Sequence, residues 1–216
     1  MSRDSYLPAL RFPALTRVYD PLICLTTRES LFKRRLLEQA SPEPGQRVLD
    51  LGCGTGTLAL LVKERQPAAE VVGLDADPEM LDHARSKAER AGVELRLDEG
   101  FSTELPYPDA SFDLVLSTLF FHHLDLESKR RTARETARVL RKGGELRVAD
   151  WGRPSDPVMA VAFLGVRLLD GFGNTRENAR GELPAIFEGE GLEDAQQTDR
   201  LRTAFGTLAL YRAWRS

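Results

Sequence analysis

Residues 48–62 read VLDLGCGTGTLALLV, with Gly52, Gly54 and Gly56 at alternate positions and Asp50 two residues before the first of them. Glycine removes the side chain that would hold a ligand away from the backbone. The first amides of a helix starting just after such a turn have no intrahelical partner, so a polar or charged group can approach them closely. A second apolar run, AEVVGLD, ends at Asp75, about twenty residues on, where a carboxylate can accept hydrogen bonds from both hydroxyls of a ribose. Together these groups suit a ligand that contains a nucleoside. The spacing is G-x-G-x-G, not the G-x-G-x-x-G of dinucleotide sites, and a carboxylate at Asp50 is unwelcome beside a pyrophosphate but useful beside a cation. Further along, His122 and His123 follow an apolar run, SFDLVLST, at a place where imidazole can act as a base or orient an acceptor.

Alternating strand-like and helix-like segments position these residues, a pattern that predicts a doubly wound α/β domain with a parallel sheet. QRVLDL, AEVVGLD, VELRL, SFDLVLST and GELRVAD read as five strands, the fourth buried on both faces. TLALLVKER and PEMLDHARSKAERA read as helices, the second with Asp77 as N-cap, Pro78 in its first turn and a stop at Gly92. A helix is expected from near Asp125, with Leu126, Ala133, Ala137 and Leu140 on one face and its end at Gly143 and Gly144. Thr26 and Glu29 make a capping box for a helix that leads into the first strand. EDAQQTDRL and FGTLALYRAW read as two last strands joined by a turn. This divides the chain into a helical cover, residues 1–44, and a ligand-binding domain, residues 45–216, within which the apolar segment 156–183 is either a lid or pocket wall over an acceptor, or a core helix or dimer contact.

VLDLGCGTG resembles the first motif of class I S-adenosylmethionine-dependent methyltransferases. LPYPDASFDLVLSTLFFHHL is similar to the strand-four region of the branch that includes the ubiquinone and menaquinone biosynthesis methyltransferases, with a type 11 methyltransferase domain. The resemblance covers about residues 45–150. It implies a Rossmann-like, mostly parallel seven-stranded sheet with helices on both faces and an antiparallel last strand, and S-adenosylmethionine as cofactor. Carried over by position, it puts Gly52, Gly54, Thr55 and Gly56 against the methionine and ribose, Asp50 near the methionyl ammonium, and Asp75 on the ribose. Ala76 lies by the adenine, Ser102 caps the ring edge, and Ser117 and Thr118 face the cofactor. Apart from this carry-over, Tyr19 of the helical cover is a further candidate to fold over it. One position departs from the family pattern: Phe101 stands where many relatives have an acidic residue to accept from the adenine amine, and it either stacks on the ring or packs in the core.

Methyl transfer from a sulfonium is an in-line displacement, so alignment and exclusion of water supply much of the acceleration, and a base is needed only for a protonated acceptor. Successive residues do not normally point the same way. His122 is therefore the catalytic candidate and His123 supports the following helix, the alternative being that both only pack and hydrogen-bond at the helix entry. Asp150 or Trp151 could line the pocket after the fifth strand. The expected acceptor is a small apolar or aromatic metabolite; the alternatives are a non-catalytic S-adenosylmethionine-binding subunit or sensor, and a nicotinamide-dependent reductase. A net charge of -3 gives no general drive toward nucleic acid, and the resemblance predicts a proline-rich tetrapeptide after strand four in nucleic-acid amino-methyltransferases where this chain has STLF. The basic run Lys129, Arg130, Arg131, Arg134, Arg138, Arg141 and Lys142 reads as a solvated helix face. No spaced His, Cys or carboxylate set suggests a metal. Cys24 and Cys53 read as free thiols, and the absence of a signal peptide or membrane-length run points to a cytoplasmic protein, with a homodimer contact as one use for the apolar segment.

Overall fold

The computed structural model describes residues 29–216. Strands β1 (Arg47–Leu51), β2 (Glu70–Asp75), β3 (Arg96–Glu99), β4 (Phe112–Thr118), β5 (Leu140–Trp151), β6 (Glu193–Thr203) and β7 (Gly206–Trp214) form one sheet in the order β3-β2-β1-β4-β5-β7-β6. Pairing is parallel from β3 to β5, and β7 runs antiparallel to both β5 and β6. The helices are α1 (Glu29–Ala40), α2 (Thr57–Arg65), α3 (Pro78–Ala91), α4 (Leu126–Val139), α5 (Pro157–Asp170), α6 (Arg176–Arg180) and α7 (Leu183–Gly189), with a 3-10 turn at Phe121–His123. This is the doubly wound, mixed sheet expected from the sequence.

Alternate residues of the central strands feed two cores. Leu49, Leu51 and Val115 pack with Ala133, Ala137 and Phe187 on one face, while Val48, Leu114 and Leu116 pack with Phe32, Leu58, Val62 and Phe163 on the other. Covering both faces explains why β1 and β4 read as unbroken apolar runs. Strand order reverses between β1 and β4, so the crevice beyond their carboxyl ends is the place where such a sheet takes a ligand. Helix starts follow the local code: Asp77 accepts from the Glu79 and Met80 amides, Asp125 from Ser128 and Asp156 from Met159. The Thr26 half of the proposed capping box lies outside the described residues. Among the described residues no helix is long and apolar enough to cross a membrane.

Three local expectations are corrected. The third strand is Arg96–Glu99, shifted toward the carboxyl side of VELRL, because it pairs in register with Val72–Asp75. Helix α4 ends at Val139, and Leu140 already belongs to β5, so the glycines 143 and 144 fall inside that strand. Leu126 is exposed, and the buried face of α4 is instead Lys129, Thr132, Ala133, Thr136, Ala137 and Val139.

Lys129, expected on a solvated face, has no exposed surface. Its ammonium uses all three donors, on the carbonyls of Leu124 (2.8 Å) and Asn174 and on Glu177 Oε2 at 3.0 Å. Burial lowers its pKa, and Glu177 opposes that shift. Sequence periodicity cannot find such a residue, because two of its three partners come from a segment more than forty residues away. Lys129→Ala leaves Glu177 buried without its partner and should cost about 3–5 kcal/mol. Replacing both residues with apolar side chains of similar size should recover most of that loss in urea melts; a single variant as stable as wild type would remove the pair from the fold's essential contacts.

Candidate active site

The turn after β1 is fixed from three directions. The amides of Gly52 and Cys53 both donate to the Leu74 carbonyl, at 2.9 and 3.0 Å. Gly54 donates to Asp75 Oδ2 at 2.7 Å, while Asp75 Oδ1 accepts from Asp77 at 3.0 Å. Asp75 thus spans the gap between the glycine turn and the start of α3. Each of its oxygens keeps a further lone pair, and burial pushes its pKa upward.

The three glycines have different tasks. All have positive φ, at 69°, 51° and 73° for Gly52, Gly54 and Gly56. A Cβ on Gly52 would lie 2.3 Å from the Phe120 ring, and one on Gly56 would lie 2.9 Å from Ala84 Cβ, so these two serve packing. Gly54 alone of the three faces open space. Thr55, beside Gly54, receives a hydrogen bond from Lys87 Nζ at 2.6 Å.

Asp50 is wholly buried at the end of β1. Its Oδ2 accepts from the Ala59 amide at 3.0 Å, and its Oδ1 has no hydrogen-bond partner among the described residues. Burial pushes its pKa up to about 7, with Lys33 pulling the other way. Phe101, two residues after β3, is 51% exposed, so it is not a core residue. Ala76 and Thr118 are half-buried at the same carboxyl edge. Two serines are committed to the fold: Ser117 donates to the Leu51 carbonyl at 2.8 Å, joining β4 to β1, and the Ser102 hydroxyl pairs with Thr132 at 2.8 Å. Tyr19 lies outside the described residues.

The turn after β4 carries the second half of the site. Asp150, buried at the end of β5, takes the Phe120 amide on Oδ2 at 3.1 Å and the His122 amide at 3.3 Å. Its Oδ1 takes His122 Nδ1 at 2.7 Å and the Trp151 amide at 2.6 Å. Both histidines turn toward Asp170, with His122 Nε2 at 3.7 Å and His123 Nδ1 at 3.3 Å. The expected divergence of the two rings fails because the pair sits in a 3-10 turn, not an extended strand, and the ring centroids are 4.0 Å apart. The exposures are also reversed: the His122 side chain is 5% exposed and that of His123 32%. Burial opposes charge on His122, but Asp150 and Asp170 outweigh it and hold its pKa above the ordinary value, whereas burial and the adjoining His122 push His123 below. Burial also opposes ionisation of Asp150, yet His122 and the Trp151 amide keep its pKa low.

Asp170 was missed by the sequence reading, and with it the spaced ligand set His122, His123 and Asp170 that was expected to be lacking. One signal was available. Asp170 is the last residue of α5, where the helix dipole disfavours an acid. Trp151 is buried against Phe163, with ring centroids 5.6 Å apart, and lines the core instead of a pocket.

These residues fit an adenosine joined to a positively charged chain: open space over the backbone at Gly54, a buried carboxylate oxygen without a partner among the described residues at Asp50, a carboxylate with spare lone pairs at Asp75, and an exposed Phe101. Asp75→Ala removes both the proposed ribose contact and the acceptor for Gly54. It should therefore weaken binding of S-adenosylhomocysteine about 10- to 100-fold, equivalent to about 1.5–3 kcal/mol. Calorimetry on the folded variant reads this directly, and unchanged affinity would remove Asp75 from the site.

Residues 48–144 match the family model described as a methyltransferase domain. The chain is 43% identical over 132 residues to a demethylmenaquinone methyltransferase of Thermus thermophilus, a match covering 61% of this chain and 59% of that protein. It is 37% identical over 155 residues to a ubiquinone/menaquinone biosynthesis C-methyltransferase of Stenotrophomonas maltophilia, covering 66% of this chain and 60% of that protein. The chain therefore spans about three-fifths of the length of these relatives. The crystal structure of YcgJ from Bacillus subtilis has the same fold, with a TM-score of 0.69 and 24% identity over 85% of this chain and 97% of that one.

Proposed function

We propose, from the premise that residues 48–144 form a class I S-adenosylmethionine-dependent methyltransferase domain, that this chain methylates a small acceptor with an apolar or aromatic body. The observation that carries the reading is Gly54, the glycine of the turn that opens to empty space, held by Asp75 at the point where strand order reverses. Bound there, S-adenosylmethionine supplies an electrophilic methyl group. Gly54 admits the ligand to the backbone, Asp75 accepts from the ribose, Phe101 stacks on the adenine, and Asp50 faces the methionyl ammonium. The Asp150 carboxylate fixes His122 and the Phe120 amide, so that the turn after β4 forms a rigid wall on the acceptor side. His122, tied down by Nδ1, is part of that wall and does not swing to collect a proton.

The apolar character of the acceptor is supported by α5. Val158, Val161, Leu164, Leu168 and Leu169 are all exposed along that helix, and it ends at Asp170 beside the histidines. A ligand with an apolar body and one polar end suits this surface, and the quinone-related names of two relatives agree with it. Nothing favours a nicotinamide-dependent reductase, since a buried carboxylate at Asp50 would oppose a pyrophosphate.

S-adenosylmethionine and S-adenosylhomocysteine should each raise the melting temperature, NADH should not, and labelled methyl should pass to an organic-soluble product from an extract. A shift with NADH alone would overturn the assignment, and cofactor binding with no labelled product from any acceptor would reduce the chain to a binder.

Asp50 adds a pH dependence. Its pKa in the ligand-free fold is about 7, so it holds a proton below that pH, and it must release this proton to face an ammonium. Affinity for S-adenosylhomocysteine should therefore fall as pH drops below about 7, by up to about tenfold per unit, with net proton release on binding. Calorimetry in two buffers of different ionisation enthalpy measures that release. Flat affinity from about pH 5.5 to 7.5 would separate Asp50 from the ammonium.

A further inference from the structure

We propose that His122, His123 and Asp170 form a binding site for a single divalent transition-metal ion of the zinc type. One ligand atom from each residue lies within 4.8 Å of the other two, and the two histidine–carboxylate separations are 3.7 and 3.3 Å. Ligand atoms around a tetrahedral zinc ion stand about 3.3 Å apart, so the group closes on one ion if the side chains draw together and Asp170 turns one oxygen toward both rings. Two imidazole nitrogens with one carboxylate oxygen suit zinc, iron(II), cobalt(II) or nickel(II); magnesium and calcium prefer oxygen alone.

A second observation points the same way. His122 Nδ1 is held at 2.7 Å by Asp150, a fully buried carboxylate whose oxygens also accept three backbone amides. That bond occupies Nδ1 and leaves Nε2 as the ring nitrogen nearer Asp170, 3.7 Å from Oδ2 and too far for a hydrogen bond to that oxygen. A carboxylate behind the far nitrogen is the arrangement by which metal-ligating histidines are oriented and made more basic.

The surroundings balance its charge. Asp150 and Asp170 supply two negative charges, and the carboxyl end of α5 adds its dipole. Lys129, the neighbouring cation, is already neutralised by Glu177 at 3.0 Å. The His123 and Asp170 side chains are 32% and 19% exposed against 5% for His122, so the ion enters from the His123 side. Three protein ligands leave positions open on that side for an oxygen of a small molecule. The proposal does not depend on methyl transfer, because metal uptake is read by itself.

The test uses the full chain without a histidine tag, stripped with a chelator and titrated with zinc by calorimetry and with cobalt by visible absorption. One equivalent per chain is expected. His123→Ala and Asp170→Asn, checked for folding by circular dichroism, should weaken uptake about 10- to 100-fold or abolish it. His83→Ala should bind as wild type does, because His83 is exposed on α3. The chain has three histidines, so zinc should also shift the imidazole NMR signals of His122 and His123 and leave those of His83, a readout that needs no variant. No stoichiometric uptake by wild type, or zinc that leaves the His122 and His123 signals in place, would overturn the proposal.

Discussion

Asp150 is the contact on which the acceptor half of the site depends. A carboxylate with no exposed surface is costly unless its lone pairs are filled, and here the amides of Phe120, His122 and Trp151 and the His122 ring fill them. Three of those donors belong to the turn after β4, so the end of β5 dictates the path of a segment that has left the sheet. The same bonds set the Phe120 ring against Gly52, where a Cβ would come within 2.3 Å of it. The glycine turn and the histidine turn are therefore packed on one another, and displacement of either is felt by both.

The cofactor half is built on a different principle, with a carboxylate serving backbone geometry first. Asp75 accepts from Gly54 and Asp77 and so joins the turn after β1 to the start of α3. Because Gly52 and Gly56 are filled from behind by Phe120 and Ala84, the turn cannot collapse into the core, and Gly54 is left as the place of open approach. Pre-organised backbone of this kind lowers the ordering cost of binding a flexible ligand.

What the sequence revealed and what it concealed divide along the same line. The glycine turn, Asp50 and Asp75 were legible because local geometry fixes them: a strand end, a turn that needs positive φ, a helix start. The alternation of strands and helices was legible for a similar reason, since apolar runs and helix caps follow one another along the chain. Lys129 and Asp170 were not. Each obtains its meaning from a partner brought in by tertiary packing, Glu177 in one case and the histidine pair in the other. The histidines themselves were found but misread, because an alternating strand geometry was carried one turn too far, into a 3-10 segment where neighbouring rings lie side by side.

Four buried or half-buried carboxylates now stand near the carboxyl edge of this sheet, and they are not satisfied alike. Asp150 has four donors and Asp75 two backbone amides, whereas Asp170 faces two imidazoles at 3.3 and 3.7 Å and Asp50 leaves one oxygen without a partner among the described residues. The well-satisfied pair hold the two turns in place. The under-satisfied pair are where positive charge from outside the chain would lower the energy most. Fold and charge share residues here, because the carboxylates that hold the turns, Asp75 and Asp150, are filled by donors while Asp50 and Asp170 beside them are not.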